Sequence, residues 1–126
     1  MALLMIADDD PVVRHILTSM LKLLGHEVVT AASGGEAVTM IREREATGTL
    51  PRFLFLDLLL QDMNGLEVLE QIRGSIPASA LPSAILSANS EEELDHIGPA
   101  VRPEYFLEKP FTQEKIAEVL SLALGI

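Results

Sequence analysis

The chain has 126 residues, with 9 Lys+Arg against 19 Asp+Glu and a formal net charge of −10, which is the size of a single domain spanning residues 1–126. Such a polyanion is repelled by nucleic acid and by an acidic membrane, and 4% aromatic residues are too few for a base-stacking platform. Zero Cys excludes a disulfide framework and thiolate metal sites, and without a leader segment or an apolar run near the ~20 residues of a membrane span, the chain fits a reducing cytoplasm.

The first apolar run, Leu3 to Ala7, is short and continuous, as a strand covered on both faces requires. Val13, Ile16, Leu17, Met20 and Leu24 follow at i, i+3, i+4, i+7 and i+11, one stripe of a helix that Asp10 can cap, Pro11 can open and Gly25 can end. A second strand is expected over Glu27 to Ala31, and Ser33 with Glu36 reads as a capping box opening the second helix. After a polar loop from Thr47 to Arg52 comes a third strand, Phe53 to Asp57, then a helix beyond Gly65 with Leu66, Leu69 and Ile72 on one face. Ser83 to Ser87 is a fourth strand. Ser90 with Glu93 reads as another capping box, and Gly98, Pro99 and Pro103 should keep that fourth helix short and its exit irregular. Tyr105 to Glu108 is the fifth strand, and a last helix from Thr112 should bury Ile116, Val119, Leu120 and Ala123.

Strand and helix thus alternate five times, which predicts an α/β fold: a parallel five-stranded sheet with right-handed crossovers and helices on both faces, a three-layer sandwich. Ligands of such sheets collect beyond the carboxyl ends of the strands. There the sequence places Asp8-Asp9-Asp10, then Asp57, Ser87 and Glu108-Lys109-Pro110. With strand order 2-1-3-4-5, Asp8, Asp9 and Asp57 converge. Three anions repel one another, and a hard divalent cation with oxygen ligands, Mg²⁺, relieves them, while Lys109 adds a single positive charge. Asp10 reads more simply as a helix cap, whereas Asp57 closes its apolar run with no capping task.

The set Leu-Leu-Met-Ile-Ala-Asp-Asp-Asp-Pro, Phe-Leu-Phe-Leu-Asp-Leu-Leu-Leu-Gln-Asp-Met-Asn-Gly-Leu-Glu-Val-Leu, Ser-Ala and Lys-Pro-Phe resembles the receiver domain of two-component response regulators, over the whole chain. The resemblance implies a flavodoxin-like (βα)₅ fold and a phosphorelay role. Asp57 would accept a phosphoryl group from a histidine kinase or histidine phosphotransfer protein. Asp8 and Asp9 would place Mg²⁺, Asp9 directly and Asp8 through water, together with Asp57 and the backbone carbonyl of Leu59. Ser87 would bond the phosphoryl group and Lys109 would pair with it. Phe106 would be the switch aromatic, outward before phosphorylation and buried once Ser87 is drawn in, and the surface of the fourth helix, fifth strand and last helix would then control a partner. Gly65 would open the turn after the acceptor strand, and the Lys109-Pro110 bond would be cis. On this reading the chain catalyses only its own phosphorylation and dephosphorylation.

Two departures from the family pattern stand out. Gln61 occupies a position that is usually Pro, which loosens the loop after the acceptor, and Val-Arg-Pro-Glu-Tyr replaces a small, acidic stretch before the fifth strand. Leu59 also rules against a haloacid-dehalogenase phosphatase, which needs a second Asp there, and Asp8-Asp9-Asp10 would repel the phosphate of a flavin. The remaining alternatives are a receiver cut from a longer regulator and a non-phosphorylated interaction module of the same fold. His15, His26 and His96 show no metal spacing.

Overall fold

The computed structural model describes all 126 residues. Five strands, β1 (Leu3–Ala7), β2 (Glu27–Ala31), β3 (Phe53–Asp57), β4 (Ser83–Ser87) and β5 (Tyr105–Glu108), form one sheet in the order β2-β1-β3-β4-β5. Every pairing is parallel. Alternation within each apolar run divides the core in two. Leu4, Ile6, Phe53 and Phe55 face one way and meet Leu17 and Leu21 of α1 (Pro11–Leu23) and Ile116 and Leu120 of α4 (Gln113–Leu124). Met5, Leu54, Leu56 and Ile85 face the other way, against Ile41 of α2 (Gly34–Thr47) and Leu66 and Leu69 of α3 (Gly65–Arg73). The result is the expected three-layer sandwich, and it explains why the strands read as unbroken apolar runs rather than alternating ones.

Helix starts follow the sequence less closely. Asp10 caps α1 as expected, its Oδ1 accepting from the Val12 amide at 2.9 Å. Ser33 accepts from the Glu36 amide at 3.1 Å, but no bond returns from Glu36, so the reciprocal box predicted there is only half formed. The complete box lies at Asn64 and Glu67, where the side chain of each accepts from the other's amide at 2.9 and 3.2 Å. Ser90 makes no side-chain cap bond, and Glu91–His96 forms a 3-10 helix instead of the expected fourth α-helix. That segment buries only Leu94 and carries three glutamates in its first turn before Gly98 and Pro99 end it, so tertiary packing does not offset the cost of nucleating an α-helix. The last helix is therefore α4.

Past the 3-10 helix, Glu104 ties three elements together. Its Oε1 accepts from the Ser83 amide at 2.8 Å, the Ser83 hydroxyl at 3.3 Å and Arg73 Nη2 at 3.1 Å. It thereby joins the start of β4, the end of α3 and the approach to β5.

Candidate functional site

Sheet register builds the site. Ala7 lies opposite Leu56, Asp57 opposite Leu86 and Ser87 opposite Glu108, so the residues that end these strands come out along one edge. Asp8, Asp9 and Asp57 each present an oxygen within 4.8 Å of the others. Asp8 is fully buried, with Oδ1 accepting from the Asp10 amide at 2.9 Å and Oδ2 from Lys109 Nζ at 3.2 Å. Lys109 Nζ also donates to Asp57 Oδ1 at 3.3 Å. The Asp9 carboxylate takes part in none of these bonds and is the one left open to a further partner.

Three carboxylates and one ammonium leave a local charge of −2 inside a mostly buried pocket. Burial, with the charge of Asp8 behind it, pushes the pKa of Asp57 up to about 6 against the pull of Lys109. Burial alone would lower the pKa of Lys109, but the charges of Asp57 and Asp8 outweigh it and hold the ammonium above its ordinary value. The lysine is thus a fixed cation that compensates the acids only in part. An all-oxygen donor set with two negative charges in excess fits a hard divalent cation such as Mg²⁺.

The surrounding residues constrain this pocket. Ser87 is buried, and its Oγ accepts from the Asn89 amide at 3.0 Å, which leaves the hydroxyl hydrogen to donate elsewhere. The Lys109 amide donates to the Ser87 carbonyl at 2.6 Å, joining these two residues through the backbone, and the Lys109-Pro110 bond is cis. At Gly65 a Cβ would lie 2.7 Å from the Asp57 carbonyl oxygen and 2.8 Å from Ile85 Cδ1. Only glycine lets α3 start this close to the end of β3. Leu59, at the mouth, is 57% exposed and forms an isolated antiparallel bridge with Asn64.

Phe106 stands away from the acids, opposite Ile85 in the register. It is half-buried against the core beneath α2 and α3 and lines a groove of about 890 Å³ with Leu94, Arg102, Phe111 and Lys115. Two further contacts were not expected from the sequence. Arg14 Nη1 donates to the Asp8 carbonyl at 2.7 Å, a contact six residues along the chain that no motif marks. Asp62 bonds the start of α2, and only the Gly34-Gly35 pair hinted at a close approach there. None of the three histidines joins the acid cluster. His26 instead accepts from the Ala2 amide at 3.2 Å, and burial, the N-terminal amine and Arg52 hold its pKa below the ordinary value. No helix is long and apolar enough to cross a membrane.

Residues 4–121 match the Response regulator receiver domain. The protein PilH of Pseudomonas aeruginosa is 27% identical over 99% of both chains. The transcriptional regulatory protein KdpE of Mycobacterium tuberculosis is 30% identical over 98% of this chain, which spans 51% of that relative. Among solved structures, the chemotaxis protein CheY4 of Vibrio cholerae superposes with a TM-score of 0.83 at 27% identity, covering 98% of this chain and 99% of that one. With an acid cluster at the carboxyl edge of a β2-β1-β3-β4-β5 sheet and a family match across nearly its whole length, the chain belongs to the response regulator receiver family.

Proposed function

We propose that Asp57 accepts a phosphoryl group from a histidine kinase or histidine phosphotransfer protein and that the modified chain then controls a protein target. The observation that carries this reading is the single lysine held between two buried carboxylates, Asp8 and Asp57, in a pocket that remains two charges short of neutrality. Asp57, Asp9, Asp8 acting through water and the Leu59 carbonyl would hold Mg²⁺, which when bound neutralises the phosphoryl oxygens and the excess carboxylate charge.

In the transfer, an Asp57 carboxylate oxygen attacks phosphorus, the bond from phosphorus to the donor's imidazole nitrogen breaks, and the imidazole keeps the electron pair and takes up a proton. Lys109, already in contact with Asp57, pairs with a phosphoryl oxygen. The Ser87 hydroxyl, whose oxygen accepts from the Asn89 amide, keeps its hydrogen to donate to another. Val12 and Ile16 are exposed on the first turns of α1 beside the acids, and Leu59 is exposed at the mouth of the pocket, an apolar rim that suits a docking donor. Once Ser87 is drawn toward the phosphoryl group, Phe106 fills the space behind it. The groove beside Phe106 changes shape, and the face of the 3-10 helix, β5 and α4 carries the output.

Incubation with acetyl phosphate and Mg²⁺ followed by intact-mass measurement tests the assignment. One phosphoryl adduct is expected on the wild type and none on Asp57→Asn. An unmodified wild type would favour a non-phosphorylated interaction module, and an equal adduct on the variant would move the acceptor elsewhere.

A further inference from the structure

The loop from β3 to α3, residues 58–64, carries Leu59 and borders the pocket. Its inner end is fixed by backbone bonds: the Leu58 amide donates to the Leu86 carbonyl at 2.9 Å, and the Leu58 carbonyl accepts from Gly65 at 2.7 Å. Farther out, Leu59 and Asn64 form an isolated antiparallel bridge and Leu60 is buried in the core, which leaves residues 61–63 as the tip. Gln61 is exposed, and its amide makes no hydrogen bond within the chain. This tip is tied to α2 by the Asp62 carboxylate, with Oδ1 accepting from the Gly34 amide at 2.9 Å and Oδ2 from the Gly35 amide at 2.8 Å.

These are the first amides of α2, which have no acceptor inside their own helix. The next one, Glu36, is taken by Ser33. The Gly35 and Gly34 amides hold the Asp62 carboxyl below the usual carboxylate range, as expected of charge-assisted bonds at a helix start. Met63 sits alongside, and a Cβ at Gly34 would collide with its side chain. Two consecutive loop residues therefore grip one helix terminus, by a two-point bond and by a side chain seated on a glycine.

We infer that Asp62 is a positioning residue: its clamp on the start of α2 fixes the 58–64 loop and so holds the Leu59 carbonyl where the metal is bound. This rests on the reading of the acid pocket as a Mg²⁺ and phosphoryl site. With Gln61 in place of a proline ring, the turn has no internal restraint on φ, and the carboxylate supplies from α2 the rigidity the ring would have supplied locally.

Calorimetric titration of Mg²⁺ into the full chain tests this, with hydrogen exchange at Gly34 and Gly35 reporting whether the clamp is open. Asp62→Ala should speed exchange at both amides and weaken the Mg²⁺ Kd roughly tenfold, the scale of losing a group that orients a metal ligand. Asp62→Asn, with one acceptor oxygen and no charge, should fall between the two. Ser33→Ala uncaps the same helix without touching the loop, and should lower the melting temperature while leaving Kd unchanged. Adding Gln61→Pro to Asp62→Ala should restore most of the affinity, because the ring costs no hydrogen bond here. Fast exchange at Gly34 and Gly35 with a wild-type Kd would overturn the clamp, as would a Ser33→Ala Kd as weak as that of Asp62→Ala. A wild type that binds no Mg²⁺ would instead overturn the reading of the pocket. Should Asp62→Ala fail to fold, the comparison of Asp62→Asn with wild type decides, and equal Kd values refute the inference.

Discussion

Replacing Asp57 by its uncharged isostere, asparagine, should make the metal-free protein more stable. Asp57 has a pKa raised from 3.8 to about 6 by burial and by Asp8, so between those values the folded chain holds a proton that the unfolded chain has released. Stability therefore falls as pH rises from about 4 to about 6, and the full cost is present above that range. Two units at ~1.4 kcal/mol each set a ceiling of about 3 kcal/mol. Solvent at the open mouth and the loss of the Lys109 contact reduce this, and we expect Asp57→Asn to gain about 1–2 kcal/mol at pH 8 in chelator. The chain has no Trp and one Tyr, so urea unfolding is best followed by far-ultraviolet circular dichroism. The gain should shrink toward zero near pH 4. Saturating Mg²⁺ should reverse the order, because ligand at 100 times its Kd stabilises the wild type by about 2.7 kcal/mol. A variant no more stable than wild type at pH 8 without metal, or a difference independent of pH, would refute the account of the pocket's charge.

Other substitutions probe the same arrangement. Gly65→Ala puts a Cβ 2.7 Å from the Asp57 carbonyl and should cost about 1–3 kcal/mol in a urea melt, with slower labelling by acetyl phosphate. Lys109→Met removes the one cation that lowers the pKa of Asp57. It should destabilise the metal-free chain by about 1–3 kcal/mol at pH 8 and move the Asp57 titration, followed by carboxyl NMR, to higher pH. The exposed side chain of Leu59 cannot orient a hydrolytic water, so phospho-Asp57 should be long-lived in a dephosphorylation time course; Leu59→Asn should shorten that lifetime, and rapid loss from the wild type would contradict the argument.

The strands were legible because each is buried on both faces, so runs such as Phe53 to Leu56 leave no competing pattern. The acids were legible for a related reason: a charge such as Asp57 at the end of such a run has no structural task that local chemistry can name. Helix starts were harder, because capping depends on which acceptor reaches an amide first. Ser33 lost part of its role to Asp62, which lies 28 residues from Gly34 and carries no local signal. The Asn64 and Glu67 box, in contrast, has the same spacing as the two boxes that were read and could have been found. The 3-10 helix shows that a cap sequence does not make an α-helix when only one side chain, Leu94, is seated in the core.

The Glu104 junction sets a mechanical boundary. Residues 88–103 run between two attachments, one where Asn89 holds the Ser87 hydroxyl and the other where Glu104 is anchored to Ser83 and Arg73, with Leu94, Ile97 and Val101 packed on the core between them. The second is a fixed abutment, since it locks the first residue of β4 to the last residue of α3. Any movement of the Ser87 hydroxyl reaches this span through the Asn89 amide, from which its oxygen accepts. Were Ser87 drawn toward a phosphoryl group, the span would adjust between these two ends, as a bridge deck flexes between piers, and a protein bound there would sense its curvature.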